Sequence, residues 1–143
     1  LGDVYKRQIL AGDRDIFTFS IHGAKNFPFH KETSDLDIEL ADGTGDDAYL
    51  AALDHGLARV FANFDAQLVI YLAGADPFED DRLGRLKLSK AGLAARDARV
   101  LAACQARGIP VAIAMAGGYA RNIDDSVDIH AATILAAREM LAP

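Results

Sequence analysis

The stretch LVIYLAGADPFEDDRLG, residues 68–84, decides how this chain is read. Its first seven residues are apolar and β-prone. The run stops at a carboxylate, Asp76, and a charged segment without helical or strand periodicity follows. A short apolar run without polar alternation reads as a strand covered on both faces. Two other runs share its character: IFTFSIH at residues 16–22 and VAIAMAG at residues 111–117. Amphipathic helical patterns alternate with these runs. Over residues 46–64, Tyr49, Leu50, Leu53, Leu57, Val60, Phe61 and Phe64 form one stripe, with Thr44 as the expected N-cap and Asp46 and Asp47 suiting the positive helix end. Over residues 89–107, Leu93, Val100, Leu101 and Cys104 face inward, and Gly108 and Pro110 stop the helix. Over residues 122–141, Asn122 is the expected cap, and Ile123, Val127, Ile134 and Leu141 are expected inside. Alternating strands and helices predict a parallel α/β sheet. No internal repeat or low-complexity linker marks a domain boundary.

Composition narrows the function. The chain has 143 residues, enough for one domain with a sizeable core, and 51% of them are apolar. A net charge of −6 argues against sequence-independent nucleic-acid binding, which needs a basic face. The single cysteine, Cys104, lies in an apolar helical pattern and is expected in the core. No apolar run approaches membrane-span length and no signal-peptide pattern opens the sequence, so a cytoplasmic protein without membrane or nucleic-acid partners is expected.

Ligands of open parallel sheets bind beyond the carboxyl ends of the strands. The three runs end in Ser20-Ile21-His22, in Asp76, and in Gly117-Gly118-Tyr119. Singly, each has a structural explanation. Asp76-Pro77 is a turn opener, and Gly117-Gly118 is loop punctuation. His22 suits a bonded core histidine, Tyr119 can snorkel at a helix start, and Glu79-Asp80-Asp81 reads as a solvated face. Their joint placement at neighbouring strand ends favours a site. The segment from Asp76 to about residue 89 is long for a compact domain, which points the same way. A P-loop, a dinucleotide fingerprint, a nucleophile elbow and zinc-finger spacing are all absent.

The order FTFSIH, NFPF, SDLDIEL, DGTGDDAYL, LVIYLAGADPFEDDRLGRLKLS, GIPVAIAMAGGYA resembles the C-terminal half of a histone deacetylase-type amidohydrolase, bacterial or class IV-like, of the arginase/deacetylase fold. The most specific part is GADPFEDDRLG with a later GGY. The resemblance implies a three-layer α/β fold, a parallel sheet with helices on both faces, here incomplete. Residues 9–143 would form the C-terminal part of a single deacetylase domain, with 1–8 unmatched. It also implies that Asp76 is one of three protein ligands of a catalytic zinc, and that Tyr119 hydrogen-bonds the substrate carbonyl and the oxyanion. Phe27, Phe29, Leu83, Gly117 and Gly118 would line a tunnel for acetylated lysine or an acetylated small amine, and Ser20 would belong to a potassium site. The implied cofactors are therefore Zn2+ and K+.

The departures are specific. The family's other two zinc ligands come from an Asp-x-His segment upstream of the strand matching FTFS, and a tandem histidine pair lies further upstream. LGDVYKRQ matches neither. Asp3 and Asp15 have no histidine two positions on, and none of His22, His30, His55 or His130 stands at a matching position. Ala116 replaces a glycine common in the family. Two alternatives therefore stand beside a deacetylase fragment. One is a catalytically silent α/β binding module. The other is an arginase-like dimetal hydrolase, for which Asp35-Leu36-Asp37 has the required spacing although it reads as a surface turn.

Overall fold

The computed structural model describes residues 9–10, 12–26 and 33–140. Four strands and three helices follow one another: β1 (Phe19–Gly23), β2 (Leu36–Leu40), α1 (Asp46–Asn63), β3 (Val69–Gly74), α2 (Lys90–Gln105), β4 (Val111–Ala116) and α3 (Ile123–Met140). The α/β class holds, and every pairing in these strands is parallel. β1 pairs with β2, Phe19 opposite Leu36, and β3 pairs with β4, Val69 opposite Val111. Among the described residues the strands form two pairs rather than one sheet.

One strand was not expected. LDIEL, whose opening overlaps the supposed surface turn, is β2. Leu36 is buried, and Asp35 ends the preceding segment by accepting bonds from the Thr18 amide and hydroxyl, each at 2.7 Å. Alternating Asp37 and Glu39 hid a strand that presents Leu36, Ile38 and Leu40 to α1. Gly56 of α1 lets that helix approach: a Cβ there would stand 2.4 Å from Phe19 Cζ.

The core lies between α1, α2, α3 and the face of β3–β4 that carries Tyr71 and Ala73. It includes Tyr49, Leu53, Leu93, Val100, Cys104 and Ile129. The inward residues expected on α2 are all buried. Three of those expected on α3 are not, and Leu141 lies outside the described residues. Ile123, Val127 and Ile134 are exposed, and Ser126, Ile129 and Thr133 are buried instead, because the contact face is chosen by polar partners as well as apolar area. One face of β3 is uncovered among the described residues. Ile70 is 68% exposed and Leu72 36%, on the β3 face opposite Tyr71. The caps divide similarly. Asn122 accepts from the Asp124 amide as expected, whereas α1 is capped by Gly45 without a side-chain bond, and Thr44 donates to the Ala41 carbonyl at 2.7 Å. Ser89 caps α2 by accepting from the Gly92 amide at 3.0 Å.

Candidate active site

The charged segment after Asp76 is ordered by three apolar pins. Phe78, Leu86 and Leu88 are buried, and a parallel bridge joins Phe78 to Leu88. Backbone bonds close the segment on itself and on the chain before α1: Glu79 amide to Leu88 carbonyl at 2.8 Å, and Lys87 amide to Thr44 carbonyl at 2.9 Å. The apolar spacing is too irregular for a helix or a strand, and it fits a loop folded into the core.

Asp76 follows the end of β3, and its carboxylate lies between two glycines. A Cβ at Gly74 would stand 2.4 Å from Asp76 Oδ1, and one at Gly117 would stand 2.3 Å from the same atom. Gly117 also has φ +43, where side chains are disfavoured. Any larger residue at either position displaces the carboxylate. The Ala75 amide points at the Ala116 and Gly117 carbonyls, 3.2 and 3.3 Å away, and binds the two strand ends together. Ala116 sits in regular β4, so the alanine there is accommodated.

Asp81 was read as part of a solvated acidic face; it is 7% exposed and joins the two loops. Its Oδ1 accepts from the Leu83 and Gly84 amides at 2.8 and 2.7 Å, and its Oδ2 accepts from the Tyr119 amide at 2.5 Å. The Arg82 amide donates to the Tyr119 carbonyl at 3.1 Å. Tyr119 is thereby held at both backbone groups while its ring remains 55% exposed, with Leu83 exposed beside it on the same carboxylate. The signal for Asp81 was its distance from Gly84, the spacing of an aspartate that bonds backbone amides ahead of it. Charge alone suggested solvent.

Below this edge lies a buried polar network that sequence reasoning also missed. Asp97 Oδ1 accepts from the Tyr71 hydroxyl at 2.5 Å and from Arg96 Nε at 2.9 Å, and its Oδ2 accepts from the Thr133 hydroxyl at 2.6 Å. Arg96 Nη1 donates to the Gly74 carbonyl at 2.6 Å. Burial pushes the Tyr71 phenol far up. Burial pushes the Tyr49 phenol up as well; Arg96 opposes this and Asp76 adds to it. Burial works against the Arg96 charge, but Tyr71, Asp97 and Tyr49 outweigh it and hold the guanidinium protonated. The signal was available: Arg96 and Asp97 fall on the same inward stripe as Leu93, Val100, Leu101 and Cys104.

The structure thus sets Asp76 against Gly117, beside Gly118 and Tyr119 in sequence, and joins Leu83 and Tyr119 through the Asp81 carboxylate. Ser20 and His22 belong to the other strand pair, where Ser20 Oγ lies 2.9 Å from His22 Nδ1 and His22 Nε2 lies 3.8 Å from Glu39 Oε1. His22 therefore serves β1–β2. Phe27 and Phe29 lie outside the described residues. Asp35 is bonded to Thr18, and Asp37 Oδ2 accepts from the Ser34 amide at 2.7 Å, so these carboxylates tie down the start of β2. Among the described residues, no group of three or more His, Cys, Asp or Glu is placed to hold a metal, and no helix is long and apolar enough to cross a membrane.

A profile of the histone deacetylase domain matches residues 5–134. The chain belongs to the histone deacetylase family. Its relatives include an uncharacterized protein of Picosynechococcus sp., 44% identical over 132 residues, and histone deacetylase 2 of Arabidopsis thaliana, 34% identical over 126 residues. These matches cover 92% and 83% of this chain. The chain spans less than half the length of either relative, 44% and 33%. Among solved structures, a histone deacetylase homolog complexed with SAHA aligns with a TM-score of 0.71 at 20% identity, over 93% of this chain and 37% of that one. The homolog from Aquifex aeolicus aligns with a TM-score of 0.66 at 21% identity, over 85% of this chain and 34% of that one. At these identities the structural likeness speaks for the deacetylase fold.

Proposed function

We propose that this chain is the C-terminal part of a zinc-dependent amidohydrolase that removes acetyl or other acyl groups from lysine or from small amines. The observation that carries this reading is the placement of Asp76 against Gly117, two residues before Tyr119, whose backbone is clamped by Asp81 and Arg82. A carboxylate suits zinc as a hard oxygen donor, but one donor does not hold the ion. The remaining ligands and the histidine base are assigned to sequence outside this chain, as the greater length of the relatives allows. In a complete site, zinc would polarise the amide carbonyl and acidify a water.

This chain's own residues then do the following. Asp76 contributes one ligand, and the absence of Cβ atoms at Gly74 and Gly117 fixes its direction. Tyr119 presents its hydroxyl from a fixed backbone to the carbonyl oxygen, and it donates more strongly as negative charge develops there. Leu83, Gly117 and Gly118, with Phe27 and Phe29, line the approach of the acyl chain, and Ser20 contributes to a potassium site. The acidic surface suits a cationic substrate.

The test uses the full-length protein that carries this sequence. Tyr119→Phe is expected to leave zinc content intact and to lower kcat on acetyl-lysine substrates by about 100-fold, the effect of removing one oxyanion donor. Asp76→Ala is expected to lose zinc and activity together. Full turnover by Tyr119→Phe would refute the role given to Tyr119. The 143-residue chain alone is expected to be inactive and to bind zinc poorly, and stoichiometric tight zinc uptake by it would contradict the single-ligand reading.

A further inference from the structure

The buried Arg96–Asp97 pair is more elaborate than packing requires. Arg96 is 4% exposed and Asp97 1%. Both lie on α2, which could have completed its inward stripe with apolar residues. A buried ion pair is seldom more stabilising than apolar residues of the same volume, so its presence calls for another role. The geometry supplies one. Asp97 is saturated by Tyr71 of β3, Thr133 of α3 and Arg96 itself. Its carboxylate therefore fixes the guanidinium, and the guanidinium is left with Nη1 directed at the carbonyl of Gly74, the last residue of β3. Gly74 is also one of the two glycines against which the Asp76 carboxylate lies. A continuous path of bonds thus runs from two helices, through a charged fork, to the strand end that aims Asp76.

We infer that Arg96 is a positioning residue for Asp76: Asp97 holds the guanidinium, and its bond to the Gly74 carbonyl sets the strand end so that the Asp76 carboxylate is pre-aimed at a metal. This rests on the reading of Asp76 as a zinc ligand. Outer partners of a ligand tune affinity because an ion binds most tightly to donors that need no rearrangement. Arginine is specific to the task. A lysine could satisfy Asp97 or reach toward Gly74, but it has no fork to do both.

Zinc affinity of the full-length protein, measured by competition with a chromogenic chelator, is compared with thermal unfolding of the metal-free protein. Arg96→Lys keeps a cation beside Asp97 and loses the bond to Gly74. It is expected to fold with a Tm close to wild type and to bind zinc about 10- to 100-fold more weakly. Arg96→Met is expected to weaken zinc at least as much and also to lower the Tm. Thr133→Val removes a support of Asp97 without touching the Gly74 bond. It is expected to lower the Tm while keeping zinc affinity within about twofold, well short of the shift from a lost outer partner. Zinc affinity of Arg96→Lys within that same margin of wild type overturns the inference, whatever Arg96→Met does. So does a Thr133→Val protein that loses as much affinity as Arg96→Lys. Wild-type protein that takes up no zinc overturns the reading of Asp76 along with it.

Discussion

Replacing Asp81 by asparagine isolates the joint between the two site loops. The side chain keeps its size, and the site is 7% exposed, so solvent cannot readily substitute for lost bonds. Aspartate accepts three backbone amides, those of Leu83, Gly84 and Tyr119. Asparagine offers one acceptor oxygen. If that oxygen keeps the Leu83 and Gly84 amides, its NH2 group faces the Tyr119 N–H, donor against donor. If it flips, two amides lose their acceptor. Hydrogen bonds to a charged group contribute about 1.5–3 kcal/mol, and a buried donor left unpaired costs about 1–3 kcal/mol. The surviving bonds also become neutral and weaker. The expected loss is about 2–4 kcal/mol, a fall in Tm on the order of 10 °C for a chain of this length. Urea unfolding followed by circular dichroism measures it. In the full-length protein the same variant should lower turnover with little change in zinc content, because it releases Tyr119 and leaves Asp76 between its glycines. A stability change below about 0.5 kcal/mol, the range of an ordinary surface substitution, would refute the joint.

Other consequences can be measured on the same protein. Gly117→Ala places a methyl where a Cβ would be 2.3 Å from Asp76 Oδ1 and forces φ +43 on a side-chain residue. It should cost about 1–3 kcal/mol of stability, and in the full-length protein it should weaken zinc binding, read by chelator competition. Burial raises the Tyr71 and Tyr49 phenols, so their contribution to stability is complete below the unfolded value of about 10 and falls as pH rises beyond it. Each phenol should take about 1.4 kcal/mol per pH unit there. Urea midpoints measured on either side of that pH should show the fall, and Tyr71→Phe should make it shallower. An unchanged slope in Tyr71→Phe would exclude that phenol as a source. Ser89→Ala removes the α2 cap and a bond to Asp46, and should cost about 1–2 kcal/mol, whereas Thr44→Ala should cost less, since Thr44 caps nothing. Equal losses would overturn this distinction between the two caps.

The strands β1, β3 and β4 and all three helices were legible because hydrophobic period is a local property, and their order alone called for parallel pairing. The places of Asp76 and Tyr119 just beyond the ends of β3 and β4 were legible for the same reason, since the apolar runs before them mark those ends. Where α3 turns its face was not legible. Its stripe of Ile123, Val127 and Ile134 is apolar and yet exposed, while Thr133 bonds Asp97 and Ser126 accepts from the Ala120 amide on the buried face. The roles of charged residues were equally hidden. Asp80 and Asp81 are adjacent and chemically identical, yet Asp80 pairs with Arg121 at the surface while Asp81 is buried under three amides. Arg96 and Asp97 lie on the inward stripe of α2, but their partners, Tyr71 of β3, Thr133 of α3 and the Gly74 carbonyl, come from distant parts of the chain. Apolar burial follows from sequence spacing, because water is the common alternative for every such side chain. A buried charge is stable only beside particular partners, and those partners come from distant parts of the chain that only the folded structure brings together.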